Sequence, residues 1–290
     1  MAWLMLVSPP EQDDDVNGES GSHTVERCVM ANKLAWEQLS SDDARLPQEL
    51  RDAYDVWHSG LGVNPAATEP WHLFVRRRLD PARDLAGRRV LEIGCGRGGF
   101  SCWLARQAMP APSLVAVDYS SVAIQKGRAH AAAEGISNVT WQIGDIQAID
   151  HPDATFDTVI SCETIEHVPN PRRAVAELAR VLTPGGRLFL TSPNYFGPFG
   201  LYRAYLRLRG QCGTEMGQPI NQLTMLPRTL RWIRRAGLIP KEVAGQGHYL
   251  LLPGRGPRRI EWLDLSFLKW FALHGLVVAQ KPGWSWRSLC

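Results

Sequence analysis

Short apolar runs alternate with longer segments of helical periodicity between residues 85 and 191. Each run ends in glycine or a polar residue, which is typical of a buried parallel strand. The segments between the runs place apolar residues three and four positions apart, the spacing of a helix packed on one face. We therefore predict strands at 89–93, 114–117, 139–143, 156–160 and 187–191, and helices at 98–108, 120–133 and 171–182. Strands that alternate with helices form right-handed crossovers, so the pattern predicts a mostly parallel α/β sheet.

The segments on either side of this alternation have other patterns, and they divide the chain into four parts. Residues 1–24 contain Pro-Pro, three consecutive Asp and Ser-Gly-Ser, which predicts a disordered tail. Residues 25–84 carry helical signals, and we predict an N-terminal helical lid over the core at 85–191. Residues 192–290 are predicted to supply cap insertions and the final strands of the same domain. The elements predicted there are helical segments at 201–208, 227–236 and 258–273 and strands at 239–243 and 276–279.

The composition is that of a globular protein, but its charge is unevenly distributed. Of the 290 residues, 44% are hydrophobic and 21% are charged. Residues 172–290 hold 18 Lys and Arg against 5 Asp and Glu, whereas the preceding residues hold 14 against 24. The basic part predicts a partner that carries an anionic group. We rank a small molecule first, a lipid at a membrane surface second and nucleic acid third, because no RNA-binding module is recognisable.

The cysteines and the apolar segments indicate the compartment. No two of the six cysteines are spaced as C-x-x-C, so we expect reduced thiols in a cytoplasmic protein. The apolar N-terminal run lacks a basic region before it, and residues 260–279 contain Asp264, Lys269 and His274. We therefore expect neither a secretory signal nor a membrane-spanning helix, with peripheral membrane contact as an alternative. The sequence leaves the oligomeric state open.

A glycine loop follows the first predicted strand. Gly94, Gly96 and Gly99 satisfy the pattern G-x-G-x-x-G, which two classes of nucleotide-binding protein share. A dinucleotide places its pyrophosphate at the start of the following helix. Glu92, two residues before the loop, would repel that anion but suits the cationic methionine end of S-adenosylmethionine. Asp118 ends the second strand, where a carboxylate binds two ribose hydroxyls in either class.

A second acidic turn follows the third strand. Asp145 can accept a hydrogen bond from the amino group of adenine, and Ile146 can pack near the ring. With this turn, the chain resembles the class I S-adenosylmethionine-dependent methyltransferases over residues 85–191. The stretches that carry the resemblance are VLEIGCGRG at 90–98, VDYS at 117–120, GDI at 144–146, FDTVI at 156–160 and LTPGGRL at 182–188.

This resemblance implies a fold and a cofactor site. The implied fold is a Rossmann-like α/β sheet of seven strands, the last one antiparallel, with S-adenosylmethionine at the carboxyl ends of the first strands. The implied cofactor-binding residues are Glu92, Gly94, Gly96, Asp118, Tyr119, Asp145, Ile146 and Cys162. Asp157 lies early in its strand, away from that edge, and we interpret it as structural. For the glycine loop taken alone, a dehydrogenase with a nicotinamide cofactor is the alternative.

A charged cluster, E-x-x-E-H, follows the fourth strand. If residues 163–167 form a helical turn, the side chains of Glu163, Glu166 and His167 share one face. Two carboxylates and an imidazole suit a divalent metal such as Mg²⁺. The pattern is similar to that of ubiquinone-biosynthesis O-methyltransferases and small-RNA 2′-O-methyltransferases, and this implies a metal that binds two vicinal hydroxyls. His248 and Gln222 are candidates for a further ligand by chain position alone.

The same cluster has two roles that need no metal. His167 and Glu166 are our candidates for catalysis, with His167 as the general base that takes a proton from an acceptor hydroxyl. Alternatively, the three side chains only shape the pocket and bond to the backbone.

Aromatic residues outside the core indicate the acceptor. Of 11 Trp, only Trp103 and Trp141 lie within 85–191. The flanks choose the acceptor in the fold implied above, so we expect an apolar or aromatic small molecule. A basic face at Arg203, Arg207 and Arg209 would suit an anionic group on it.

From these observations we predict methyl transfer to an oxygen of a hydrophobic small molecule, in small-molecule or natural-product biosynthesis. One alternative is C- or N-methylation of a lipid or natural product. An alternative of another class is a non-catalytic cofactor-binding module that acts through a protein partner.

Overall fold

The computed structural model describes residues 47–197, 200, 201, 203, 204, 218–252, 255–260 and 266–283. The predicted tail at 1–24, the predicted lid residues 25–46 and most of the predicted helix at 201–208 lie outside these residues.

A seven-stranded sheet forms the centre of the fold. The strands of the described residues are β1 (Arg89–Ile93), β2 (Ser113–Asp118), β3 (Val139–Ile143), β4 (Phe156–Cys162), β5 (Leu182–Pro193), β6 (Ile239–Gln246), β7 (Tyr249–Leu252), β8 (Arg255–Arg259) and β9 (His274–Gln280). The large sheet has the order β3-β2-β1-β4-β5-β9-β6. Strands β1 to β5 pair in parallel, and β9 runs antiparallel to both β5 and β6. The prediction of a seven-stranded sheet with an antiparallel last strand is confirmed.

Helices cover both faces of this sheet. Those of the described residues are α1 (Gln48–Ser59), α2 (Pro70–Arg76), α3 (Gly99–Leu104), α4 (Ser121–Ala133), α5 (Pro171–Val181) and α6 (Leu226–Arg235). The alternation along β1 shows how the faces are divided. Leu91 and Ile93 pack in one apolar cluster with α5 and α6, whereas Val90 packs in another with α2 and α3. The sheet is therefore buried on both sides, as its nearly continuous apolar strands predict.

The helix ends follow the predicted capping residues. The hydroxyl of Ser120 accepts a hydrogen bond from the backbone N–H of Ala123 at 3.1 Å, which caps α4. Gly237 follows α6 with φ +80°, the left-handed conformation that glycine adopts easily after a helix.

Strand β5 begins earlier than predicted. Phe156 of β4 pairs with Leu182, but Thr158 pairs with Arg187, so residues 183–186 bulge out of β5. Gly185 in this bulge has φ +83°, which explains the glycines of the LTPGGRL stretch. The strand was predicted to begin at Arg187, and the structure shows that it begins at Leu182, before the glycines.

The predicted amphipathic helix at 258–273 is wrong. Residues 258 and 259 belong to the hairpin β7–β8, in which Tyr249 pairs with Arg259 and Leu250 with Arg258. A short 3₁₀ helix, Ser266–Phe271, precedes β9. Backbone pairing in the hairpin fixes residues 258 and 259 as strand, which a sequence pattern over one segment does not indicate. Among the described residues, no helix combines the length and apolarity that crossing a membrane requires.

Candidate functional site

A cavity of about 330 Å³ lies at the carboxyl ends of β1 to β4. Open α/β sheets bind ligands at this edge, where the strand order reverses on either side of β1. Residues of α1, of α2 and of the segment between them cover it from the N-terminal side, among them Trp57, His58 and Trp71. The predicted lid is therefore part of the cavity wall.

The predicted cofactor residues converge on this cavity with one exception. Its lining includes Gly94, Gly96, Asp118, Tyr119, Asp145, Ile146 and Cys162. They come from the ends of four different strands, and only the parallel sheet brings them together.

Glu92 is the exception, since it is not among the lining residues. Its side chain points to the α3 side of β1, is 2% exposed and accepts a hydrogen bond from the Ser101 hydroxyl at 2.5 Å. Side chains alternate along a strand. Ile93 therefore points to one face of the sheet and Glu92 to the other, beneath the glycine loop. That Glu92 meets the methionine end of the cofactor stays a prediction; in this structure its carboxylate contacts Ser101 of α3.

Wild type is expected to lose stability as pH rises, and replacing Glu92 with glutamine is expected to remove this loss. Burial raises the pKa of Glu92 to about 8, from an ordinary value of 4.5. The native state then keeps a proton that the unfolded chain releases, so the free energy of unfolding falls as pH rises from 4.5 to about 8. Urea unfolding of the cofactor-free protein at several pH values measures this slope. Parallel profiles for wild type and Glu92→Gln would contradict the interpretation.

Asp118 organises the two loops at the cavity floor. Its Oδ2 accepts a hydrogen bond from the N–H of Gly96 at 2.7 Å, and its Oδ1 accepts one from the N–H of Ser120 at 2.9 Å. Gly94 has φ +75° and Gly96 φ +53°, conformations that favour glycine. A carboxylate at the second strand end beside an open glycine loop fits the ribose and the methionine part of S-adenosylmethionine.

The C-terminal half of the lid helix α1 is fastened to α4 and its N-cap. Asp55 accepts hydrogen bonds from the hydroxyls of Ser120 and Ser121 at 2.5 and 2.8 Å. Lys126 donates to the backbone carbonyls of His58, Ser59 and Leu61 at 2.7 to 2.9 Å. The lid thus holds His58 Nε2 3.9 Å from Asp118 Oδ1. Sequence reasoning missed Asp55 and Lys126, because partners 65 or more residues apart leave no local pattern.

The E-x-x-E-H residues all line the cavity, but not as one helical face. Only Ile165–His167 form a 3₁₀ turn, and Glu163 precedes it with φ +47°. Oε2 of Glu163 lies 3.0 Å from Nδ1 of His274, a residue of β9. Oε1 of Glu166 lies 3.4 Å from Nε2 of His167. The predicted helical turn over 163–167 is therefore wrong, because Glu163 leaves the helical region of backbone conformation.

The geometry does not fit the predicted metal. Within the part of the chain that the structure describes, no group of three or more His, Cys, Asp or Glu side chains is arranged to hold an ion. Each candidate ligand has another contact: His248 Nε2 lies 3.0 Å from the carbonyl of Leu268, and Gln222 Nε2 donates to the carbonyl of Pro169 at 3.4 Å. We derive no step through a metal from Glu163, Glu166 and His167.

His167 is held as a neutral ring. Its Nδ1 lies 2.8 Å from the carbonyl of Ile220, and a carbonyl only accepts, so Nδ1 carries the hydrogen. Burial lowers the pKa of His167 to about 4, so the ring is uncharged at neutral pH. The role of His167 as general base stays a prediction, and the ring that would perform it is neutral and fixed by the Ile220 carbonyl.

Part of the cavity lining is aromatic. Trp57, Trp71 and His72 belong to it, and the ring of His72 stacks on Phe100 with centroids 4.5 Å apart. Burial lowers the pKa of His72 to about 3, so this ring is also neutral. These rings favour an apolar acceptor, and Glu69 and Arg97 line the same cavity.

Of the predicted basic face, only Arg203 lies among the residues that the structure describes. Arg207 and Arg209 lie outside the described residues, and Arg203 is 7% exposed and donates to the hydroxyl of Tyr195 at 2.6 Å. Arg203 is therefore a buried structural partner of Tyr195 and is absent from the cavity lining.

Comparisons with known proteins agree with this site. A family profile described as "Methyltransferase domain" matches residues 91–190. The ubiquinone biosynthesis O-methyltransferase of Xanthomonas euvesicatoria pv. vesicatoria is 31% identical over 189 residues, which are 63% of this chain and 72% of that protein. A rice protein named "Probable tocopherol O-methyltransferase, chloroplastic" is 39% identical over 106 residues, 36% of this chain. The chain spans only 29% of the rice protein's own length.

A solved structure gives the same fold. The S-adenosylmethionine-dependent methyltransferase of Mesorhizobium loti superimposes with a TM-score of 0.53 at 16% identity, over 74% of this chain and 99% of that one. The strand order, the glycine loop beside Asp118 and the match to the Xanthomonas protein lead to one conclusion. The chain belongs to the class I S-adenosylmethionine-dependent methyltransferase family.

Proposed function

We propose that the protein transfers the methyl group of S-adenosylmethionine to a hydroxyl oxygen of an apolar small molecule such as a phenol or diol. The observation that carries this proposal is one cavity lined both by the cofactor loops and by aromatic side chains. Gly94, Gly96 and Asp118 are among its lining residues, and so are Trp57 and Trp71. Such a cavity would hold an apolar acceptor in contact with the cofactor.

The chemistry asks the protein mainly for positioning. When bound, S-adenosylmethionine supplies a methyl group on a sulfonium sulfur; its carbon–sulfur bond breaks, with the electron pair kept by sulfur, as the oxygen–carbon bond forms. The hydroxyl proton passes to a carboxylate oxygen in the same cavity wall. The protein's residues hold the acceptor oxygen in line with the methyl group and keep water out.

We assign Glu166 and His167 to contact with the acceptor. Both line the cavity, and Glu166 is fully buried while His167 is 9% exposed. The carbonyl of Ile220 fixes the His167 ring, so its orientation toward an acceptor is set before binding. The seven lining residues named above are assigned to the cofactor, with Glu92 beneath them.

The names of two relatives support oxygen as the acceptor atom, since both are O-methyltransferases. A role in small-molecule or natural-product biosynthesis, and a cytoplasmic location with peripheral membrane contact as the alternative, are parts of this proposal. An anionic group on the acceptor finds no support at Arg203.

Incubation with methyl-labelled S-adenosylmethionine and a panel of apolar phenols, catechols, amines and carbon acids tests the proposal. We expect label to appear in methyl ethers identified by mass spectrometry. Label only on nitrogen or carbon would favour the C- or N-methyltransferase alternative. Tight cofactor binding without transfer to any panel member would favour the non-catalytic module.

A further inference from the structure

The Glu163 carboxylate is held in place by contacts on two sides. Its backbone N–H donates to both the carbonyl and the hydroxyl of Thr191, at 3.2 and 3.1 Å. Its side-chain Oε2 lies 3.0 Å from Nδ1 of His274, and because a carboxylate accepts, the ring donates this hydrogen bond. The two side chains are only 11% and 9% exposed. The carboxylate therefore has one fixed orientation.

The second carboxylate oxygen has no such contact. Oε1 of Glu163 is buried, and it has no hydrogen-bond partner among the residues that the structure describes. A buried carboxylate oxygen without a donor costs free energy, so it is expected to receive one from a ligand. Both Glu163 and His274 line the cavity, which is where that ligand would lie.

The backbone at Glu163 is also unusual. Its φ of +47° is in the left-handed region, which costs free energy for a residue with a side chain. Strained non-glycine residues of this kind concentrate at functional sites. The conformation turns the Glu163 side chain away from the 3₁₀ turn of Glu166 and His167 and toward β9.

Glu163 is next to the cofactor loop. A Cβ added at Gly94 would collide with the side chain of Thr164, the residue that follows Glu163. The glycine loop and the Glu163 loop are therefore in direct van der Waals contact. This contact brings the loop that carries Glu163 against the glycine loop, which is assigned to the cofactor.

We propose that Glu163 Oε1 accepts the hydrogen bond of the acceptor hydroxyl and that His274 is the positioning residue that holds this carboxylate. The inference rests on the proposed O-methyl transfer. It replaces the predicted metal by a direct contact between a carboxylate and the hydroxyl. As the oxygen–carbon bond forms, the hydroxyl proton moves along this hydrogen bond to Glu163. Glu163 is then a neutral carboxylic acid, and it loses this proton to solvent after the product leaves.

A binding experiment tests this contact without turnover. The probes are 2-naphthol and its methyl ether, 2-methoxynaphthalene, which differ in the hydroxyl donor. Calorimetric titration into the complex with S-adenosylhomocysteine should show that wild type prefers the naphthol by about tenfold or more. Glu163→Gln should lose most of this preference. Its amide oxygen would take the His274 hydrogen bond and its NH₂ would face the cavity, where it donates to either probe.

Three further variants separate positioning from folding. His274→Ala should lower the preference for 2-naphthol, because the carboxylate loses its orientation. For the same reason it should lower kcat by a larger factor than it raises KM. His274→Asn should restore part of both, since an amide N–H replaces the Nδ1 donor. Glu242→Gln, which loses only the exposed ion pair with Arg78, should behave as wild type. Unchanged binding of S-adenosylhomocysteine in each variant shows that the fold is intact.

The outcomes distinguish the two proposals. A wild-type protein that shows no preference for 2-naphthol, or a Glu163→Gln variant that keeps the preference, would overturn the Glu163 assignment whatever the labelling experiment shows. Methyl transfer that a chelator abolishes and added Mg²⁺ restores would also overturn it, in favour of the metal. Hydroxyl preference without label on any oxygen acceptor would leave the contact in place and refute the O-methyl transfer.

Discussion

Asp118→Ala is expected to weaken the binding of S-adenosylmethionine by about a hundredfold or more. The carboxylate holds the glycine loop through the N–H of Gly96 and the next loop through the N–H of Ser120. It also lines the cavity where the ribose hydroxyls would lie. Hydrogen bonds to a charged group contribute about 1.5–3 kcal/mol each. Losing the two that the ribose hydroxyls would donate therefore lowers the affinity by at least two powers of ten.

Calorimetry with S-adenosylhomocysteine measures this loss. Asp157→Ala is the matched control, because Asp157 also accepts a backbone N–H, that of Arg89 at 3.0 Å, but lies outside the cavity. It should lower stability and leave the affinity within about twofold of wild type. An Asp118→Ala variant that binds as tightly as Asp157→Ala would show that the cofactor lies elsewhere.

Gly94→Ala is expected to abolish cofactor binding and to lower the free energy of unfolding by about 2–5 kcal/mol. Two costs add at this position. The residue has φ +75°, and the new Cβ would collide with Thr164. Relief requires the glycine loop or the Glu163 loop to move, and both form the cavity wall. Urea unfolding and calorimetric titration with S-adenosylhomocysteine report the two effects separately.

Gly135→Ala isolates the backbone cost. Gly135 has φ +66°, and an added Cβ would meet nothing within 4 Å. This substitution should cost only about 1 kcal/mol and leave cofactor binding intact. If both substitutions cost the same, the contact between the glycine loop and Thr164 contributes nothing.

The elements that the sequence predicts well are those with a strong local pattern. The five core strands, the Ser120 cap and the Gly237 helix end each depend on residues within a few positions of one another. The hairpin β7–β8 depends on pairing between strands, and its last two residues, 258 and 259, were predicted as the start of a helix. The bulge of β5 was missed because the register with β4 is a property of two strands.

The candidate site divides in the same way. Motifs of the family placed seven of the eight predicted cofactor residues at the cavity. The contact of Glu92 with Ser101 was not predicted, since it depends on how α3 packs on the face of β1. The contacts Glu163–His274 and Asp55–Ser120 join residues 111 and 65 positions apart. Nothing in the sequence indicates the left-handed conformation of Glu163, because the spacing of E-x-x-E-H suits a helical turn.

Strand β9 has a consequence for how this protein could acquire new acceptors in evolution. It lies beyond the segment 91–190 that matches the methyltransferase domain, yet it brings His274 into the cavity from its position next to β5. Trp57 and Trp71 likewise precede that segment. Substitutions in these flanking parts can reshape acceptor selectivity while the loops of Gly94, Gly96 and Asp118 stay intact. The cofactor-binding loops can therefore be inherited unchanged while the residues that contact the acceptor diverge.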